Sequence, residues 1–94
     1  MLRISVTTEP SGTTITLEGR VVGPWVQELR ICWYRLLQSV ALPVRVDLDG
    51  VTFVDDAGKA VLRAMRADGA TLTATTLMMR AVVDEVAATD RPDT

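Results

Sequence analysis

Hydrophobic and polar residues alternate along four short segments of the chain, and this period of two predicts four β-strands. In residues 44–48 valine and leucine alternate with arginine and aspartate, and residues 2–7, 14–18 and 70–75 show the same period. Residues 9–12, Glu-Pro-Ser-Gly, have the composition of a turn, so we expect the first two strands to form a hairpin. The sequence therefore predicts a four-stranded sheet that begins with a hairpin.

Three other segments place their apolar residues at helical spacing, which predicts three amphipathic helices. The first is expected from Pro24, which suits a first helical turn, to about Val40. The second ends at Asp68-Gly69, and the third begins after Thr76, the expected N-cap. The predicted buried positions are Trp25, Val26, Leu29, Cys32, Trp33, Leu36, Leu37 and Val40 in the first helix, Gly58, Val61, Leu62 and Met65 in the second, and Met78, Met79, Val82 and Val86 in the third.

The alternation in every strand also predicts where the helices lie. A sheet covered on both faces needs continuously apolar strands, whereas the second face here carries Thr14, Thr16, Arg45, Asp47 and Thr73. All three helices are therefore expected on one face, and right-handed crossovers then arrange the strands in sequence order. The predicted fold is a single α/β domain of residues 1–94, with a four-stranded mixed sheet (N-terminal hairpin plus parallel strands), helices on one face, and a flexible tail from about residue 87.

Composition narrows the range of functions. A chain of 94 residues that is 48% hydrophobic can build one core without disulfides or metals. The net charge of −2 argues against nucleic acid as a partner. Cys32 is the only cysteine, which excludes an intramolecular disulfide and a zinc site built from cysteines. There is no histidine, so the commonest general base and the commonest metal ligand are absent. The start of the chain alternates like a strand and no apolar run reaches membrane length, so we expect a cytoplasmic protein without membrane insertion, metal or cofactor.

Residues 46–62, VDLDGVTFVDDAGKAVL, contain the one specific motif of the chain. The order V-D-L-x-G-V-T-F-V-D-x-x-G-x-x-x-L resembles the signature of STAS domains, the family of bacterial anti-sigma factor antagonists. In the regulated members the motif ends in Asp-Ser-Ser-Gly or close to it, and a partner kinase, itself the anti-sigma factor, phosphorylates the first serine. Asp55 and Gly58 match this motif, whereas Asp56 stands at the phosphoacceptor position and Ala57 replaces the second serine.

The resemblance implies a STAS-like fold, a βα superhelix, and a regulatory interaction domain rather than an enzyme. Its implied protein partner is an anti-sigma factor of kinase type, in bacterial signal transduction and transcription regulation. Asp56 would supply a permanent negative charge where phosphoserine would carry about −1.5 to −2. Neither Asp56 nor Ala57 has a hydroxyl group, so we expect no phosphorylation at this loop. The implied partner-binding residues are Val54, Asp55, Asp56, Ala57, Gly58 and Lys59.

Two alternative functions stay open within the same family. One is a cytoplasmic accessory subunit that binds the ATPase of an ABC-type membrane transport complex. The other is a small-ligand or nucleotide-binding STAS domain, which no Gly-rich phosphate loop in the sequence supports. Outside the family, Asp55 and Asp56 suggest a carboxylate-pair hydrolase or a magnesium site, but the sequence provides no further polar groups that converge on them.

Some of these residues also have purely structural interpretations. Asp55 and Asp56 suit a helix N-terminus, where carboxylates cap free amides and complement the helix dipole. Lys59, Arg63 and Arg66 form a stripe that is expected to be a solvated helix face, with contact to an acidic partner as the alternative.

A second contact surface is suggested on the first helix. Ile31 and Tyr34 fall on the side opposite to the predicted core, and two large apolar residues on adjacent turns of one face are typical of an interface. This face could bind a partner or form a homodimer through the outer side of the helix.

Overall fold

Four strands and three helices make up the fold, in a computed structural model that describes residues 1–39 and 43–89. The strands lie in the order β1-β2-β3-β4, with β1 and β2 antiparallel and the other two pairs parallel. The mixed sheet in sequence order is therefore confirmed. The elements are β1 (Leu2–Glu9), β2 (Gly12–Val21), α1 (Pro24–Ser39), β3 (Val44–Val54), α2 (Asp56–Ala67), β4 (Ala70–Thr73) and α3 (Leu77–Thr89).

The core lies between one face of the sheet and the helices. Buried residues of the strands and of all three helices form a single cluster, which places the helices on one face as predicted. The opposite face is open: Arg45 is exposed, while Thr14, Thr16, Asp47 and Thr73 are half-buried among their neighbours on the pleated surface. The predicted core residues that are confirmed include Val44, Val46, Leu48, Leu72, Trp33 and Met65.

β3 continues further than its alternation suggested. The regular alternation covers only residues 44–48, but β3 runs to Val54 and stays paired with β2 as far as Val21. The register between the two strands shifts twice in this stretch, and each shift adds one residue to β3, as a β-bulge does. The buried positions of β3 are therefore three residues apart at Leu48, Val51 and Val54, a spacing that a strict period of two does not detect.

Most of the predicted helix positions are buried or packed against the core, and Cys32 and Met78 are not. Cys32 is half-buried rather than buried, because it lies on the side of α1 that turns away from the core toward the edge of the sheet. Met78 is 60% exposed, since Met79 occupies the core position and the preceding residue points about 100° away around the helix. Trp25, Leu37 and Val82 are partly buried against the core, and Val40 lies outside the described residues.

The C-terminal part of the fold differs from the prediction at two boundaries. β4 ends at Thr73 rather than at residue 75, and Thr76 caps α3 as expected, with its Oγ1 accepting from the backbone N–H of Met79 at 3.3 Å. α3 extends to Thr89, so residues 87–89 are helical where the sequence predicted the start of a flexible tail, and the remainder of that tail lies outside the described residues. Val86 is fully buried and holds this last part of α3 against the core.

Candidate functional site

The candidate site is the start of α2, where the chain leaves β3. Asp55 has an extended backbone (φ −83°, ψ 179°) and is the N-cap of α2. Its Oδ1 accepts a hydrogen bond of 2.7 Å from the backbone N–H of Gly58, which satisfies one of the free amides at the helix start. The capping interpretation of Asp55 is therefore confirmed.

Asp55 also fixes the position of the neighbouring helix. Its Oδ2 accepts a hydrogen bond of 3.1 Å from the backbone N–H of Gly23, the residue immediately before α1. Its own backbone N–H donates to the carbonyl of Val21 at 3.1 Å, at the end of β2. One residue thus joins the carboxyl end of β2, the start of α1 and the start of α2.

Gly58 lets α2 approach the sheet closely. A Cβ atom at this buried position would lie 2.6 Å from the carbonyl oxygen of Val21 and 2.8 Å from Cγ1 of Val54. Gly58 and Val54 are both buried beneath the loop, so they support its conformation and do not form part of its surface. Two of the six residues that the motif assigned to partner binding are therefore structural in this conformation.

Asp56 and Ala57 form the exposed part of the loop. Asp56 is the first residue of α2, so its charge lies at the positive end of the helix dipole. Within the described part of the chain its carboxylate accepts no hydrogen bond and forms no ion pair, and it is exposed. Of the residues that the motif implied for partner binding, Asp56 and Ala57 are therefore the exposed ones, with half-buried Asp55 beside them.

Lys59 is turned toward α3 rather than toward solvent. Its Nζ lies 3.0 and 3.2 Å from the two carboxylate oxygens of Glu85, and its side chain is only 22% exposed. Arg63 is half-buried and Arg66 is exposed, and both take part in further interactions. The prediction of a solvated stripe is therefore wrong for Lys59, because α3 packs beside α2 and brings Glu85 to it.

Two residues beside the loop were not identified from the sequence. Phe53 is 47% exposed, and the guanidinium carbon of Arg20 lies 5.5 Å from the centre of its ring, the geometry of a cation–π contact. The two residues are paired in the register of β2 and β3, near the carboxyl ends of these central strands, where Asp55 follows. The β-bulges break the period of two in this part of β3, so the sequence pattern does not predict that Phe53 is exposed or that it faces Arg20. A single aromatic residue between Thr52 and Val54 is the one feature that could have indicated it.

The residues predicted on the outer side of α1 are exposed as expected. Ile31 is 42% and Tyr34 is 57% exposed. Cys32 lies next to Ile31, and burial raises the pKa of its thiol while the positive charge of Arg35 acts in the opposite direction. These residues lie on α1 away from the start of α2, so the structure does not bring them together with Asp56 in one site.

Two classes of site have no counterpart in residues 1–39 and 43–89. No three cysteine, aspartate or glutamate side chains there are grouped to hold a metal ion. No helix in that part of the chain is long and apolar enough to cross a membrane.

The chain is similar to known proteins in fold rather than in sequence. It matches no family model and no curated protein. An anti-sigma factor antagonist from Mycobacterium paratuberculosis has a similar structure, with a TM-score of 0.82 at 14% sequence identity over 94% of this chain and 80% of that chain. A structure of Mglu gives a TM-score of 0.59 at 20% identity, over 77% of this chain and 19% of that one. The chain therefore shares the fold of this anti-sigma factor antagonist, a mixed four-stranded sheet with three helices.

Proposed function

We propose that this protein is a non-enzymatic regulatory domain that binds a protein partner, in the manner of an anti-sigma factor antagonist. The observation that carries the proposal is the carboxylate of Asp56, which is exposed and has no ion-pair or hydrogen-bond partner among residues 1–39 and 43–89, at the motif position where regulated STAS domains have their phosphorylated serine. The similarity of fold to an anti-sigma factor antagonist over 94% of the chain supports it. The docking surface consists of Asp55, Asp56 and Ala57, together with the adjoining Phe53.

The loop is held rigid before any partner binds. Both carboxylate oxygens of Asp55 accept backbone hydrogen bonds, and Gly58 keeps the first turn of α2 against β2. Little conformational entropy is then lost on binding, which favours affinity for a surface of this small size. The negative charge of Asp56 is constant, because neither it nor Ala57 has a hydroxyl group. The charge at this position therefore does not depend on phosphorylation by a partner kinase.

The same hydrogen bonds argue against hydrolytic chemistry at the pair of aspartates. General acid–base catalysis by two carboxylates requires both to reach the substrate. The oxygens of Asp55 are occupied by Gly58 and Gly23, and its side chain points toward the helix starts. Asp56 alone is available, and a single exposed carboxylate serves better as a charged contact than as a catalytic group.

Site-specific photo-crosslinking tests the proposed surface. A photoreactive amino acid replaces Ala57, which is exposed and leaves Asp56 in place; the matched control carries it at Ser11, exposed in the β1–β2 turn at the opposite end of the sheet. We expect a discrete crosslinked protein from position 57 in extracts of the native organism and none from position 11. A kinase-type anti-sigma factor in that product supports the proposal, and a transporter ATPase supports the alternative. Equal crosslinking at both positions would contradict the proposed surface.

A further inference from the structure

A partly apolar groove runs between β1 and α1 at the edge of the molecule. It is lined by Ile4 and Val6 of β1 and by Ile31, Cys32 and Leu36 of α1. Val6 is 44% and Ile31 is 42% exposed, although both are large aliphatic residues. The helix leaves this side of the sheet uncovered, because its buried face is directed at β2 and α2 rather than at β1.

The strand beside the groove lies at the edge of the sheet. β1 has eight residues, and among residues 1–39 and 43–89 it pairs with β2 alone. An exposed edge strand next to exposed aliphatic residues is a combination that monomeric proteins usually avoid. The groove is therefore a candidate interface on grounds that are independent of the loop at Asp56.

The charged residues of α1 indicate which molecule binds in this groove. Glu28 and Arg35 also line the groove and are seven residues apart, two helical turns or about 10.5 Å along the axis. Midway between them are Ile31 and Cys32. If a second α1 lies antiparallel across this face, a two-fold axis between residues 31 and 32 places each Glu28 opposite the partner's Arg35. The face is thus complementary to itself, as a two-fold symmetric interface requires.

We propose that this groove binds a second copy of the chain, with the two α1 helices antiparallel and the partner's Ile31 seated between β1 and α1. Two equivalent pairs of Glu28 and Arg35 flank an apolar centre. Tyr34, 57% exposed and one turn beyond Ile31, extends the apolar contact. An antiparallel copy of α1 presents the same acidic, apolar and basic residues in reverse order, so the two faces match without any other sequence being required.

Charge reversal tests the proposal, with sedimentation equilibrium as the measurement. Glu28→Arg places two arginines opposite each other, and Arg35→Glu places two glutamates opposite each other. Each single variant should weaken dimerisation roughly tenfold at low salt, and the double variant Glu28→Arg/Arg35→Glu should restore it. Arg30→Glu is the matched control: it has the same change of charge on the exposed side of α1, outside the groove, and should leave the dimer unchanged.

Cys32 provides a second, independent readout. It is the only cysteine of the chain and lies in the groove, so its alkylation rate reports on access to this surface alone. We expect the rate to fall as the wild-type concentration rises, and to be independent of concentration for Glu28→Arg.

A wild-type chain that stays monomeric at millimolar concentration would overturn the proposal. So would a double variant as weak as the single ones, or an Arg30→Glu variant as weak as Arg35→Glu.

Discussion

The carboxylate of Asp55 accepts a hydrogen bond from the backbone N–H of Gly23 at 3.1 Å, across 32 residues of the chain. Its other oxygen caps α2 through Gly58 at 2.7 Å. The motif assigns Asp55 to a partner surface, but in the structure its side chain connects the N-termini of α1 and α2. These hydrogen bonds position Asp56 and Ala57, which are exposed just beyond the carboxyl end of β3.

Removal of the Asp55 side chain should destabilise the domain. Asp55→Ala loses both the helix cap and the hydrogen bond from Gly23, and we expect the free energy of unfolding to fall by about 1–3 kcal/mol. Asp55→Asn keeps an oxygen for the cap and should lose less. Asp56→Ala, the matched control one residue on, should change stability by less than about 1 kcal/mol. Urea denaturation measures all three; equal losses for Asp55→Ala and Asp56→Ala would contradict the assignment.

The substitution Gly58→Ala should be destabilising, although glycine to alanine within a helix normally stabilises by about 1 kcal/mol. The new Cβ would meet the backbone carbonyl of Val21 at 2.6 Å, and backbone atoms cannot yield as a flexible side chain can. We expect a loss of about 1–3 kcal/mol from overpacking. Thermal melts of the wild type and Gly58→Ala measure this, and we expect the variant to melt at a lower temperature. A stabilised Gly58→Ala variant would show that α2 does not lie as close to β2 as described.

Burial should shift the alkylation of Cys32 to higher pH. Burial raises the pKa of the thiol, so the folded chain keeps this proton to higher pH than the unfolded chain, and stability falls as pH rises above the ordinary thiol range. The pH of half-maximal alkylation, measured at low protein concentration, should be higher for folded than for urea-unfolded protein. Arg35→Gln should raise it further, because Arg35 acts to lower the pKa. Identical midpoints for folded and unfolded chains would contradict the prediction.

The strand alternation and helical periodicity sufficed to predict the order of the strands, the one-sided packing and most of the core. They failed where local geometry departs from a regular period. The bulges of β3 changed the spacing of its buried residues to three, which hid the extension to Val54 and the exposure of Phe53. The Asp55–Gly23 hydrogen bond and the Lys59–Glu85 ion pair join residues far apart in sequence, and no local pattern indicates which elements pack side by side.

No phosphate should be found between residues 51 and 59 in protein purified from its own cells. Thr52 has the only hydroxyl of this segment, and its Oγ1 donates to the carbonyl of Gly19 at 3.2 Å. Mass spectrometry of the intact protein and of its peptides measures this directly. A phosphate on Thr52 would show that the loop is a regulated switch after all, at another position of the motif.

The central claim is that Asp56 acts as a fixed charge on a docking surface, and calorimetric titration of Asp56→Ser tests it most directly. The titrant is the protein that is identified by crosslinking from position 57. Serine suits a helix start, so the variant should remain folded, with a stability change within about 1 kcal/mol. Asp84→Ser, which removes the same charge from the exposed side of α3, is the control. Thermal melts of both variants accompany the titrations.

We expect Asp56→Ser to change the affinity about two- to fivefold at low salt, in the direction that is set by the sign of the partner surface, because one partly exposed charge pair is removed. The difference should shrink at high salt, since the interaction is Coulombic and screened. Asp84→Ser should bind like the wild type under both conditions. If Asp56→Ser binds with wild-type affinity at low salt, Asp56 is a helix-start residue only, and the account of the docking surface is contradicted.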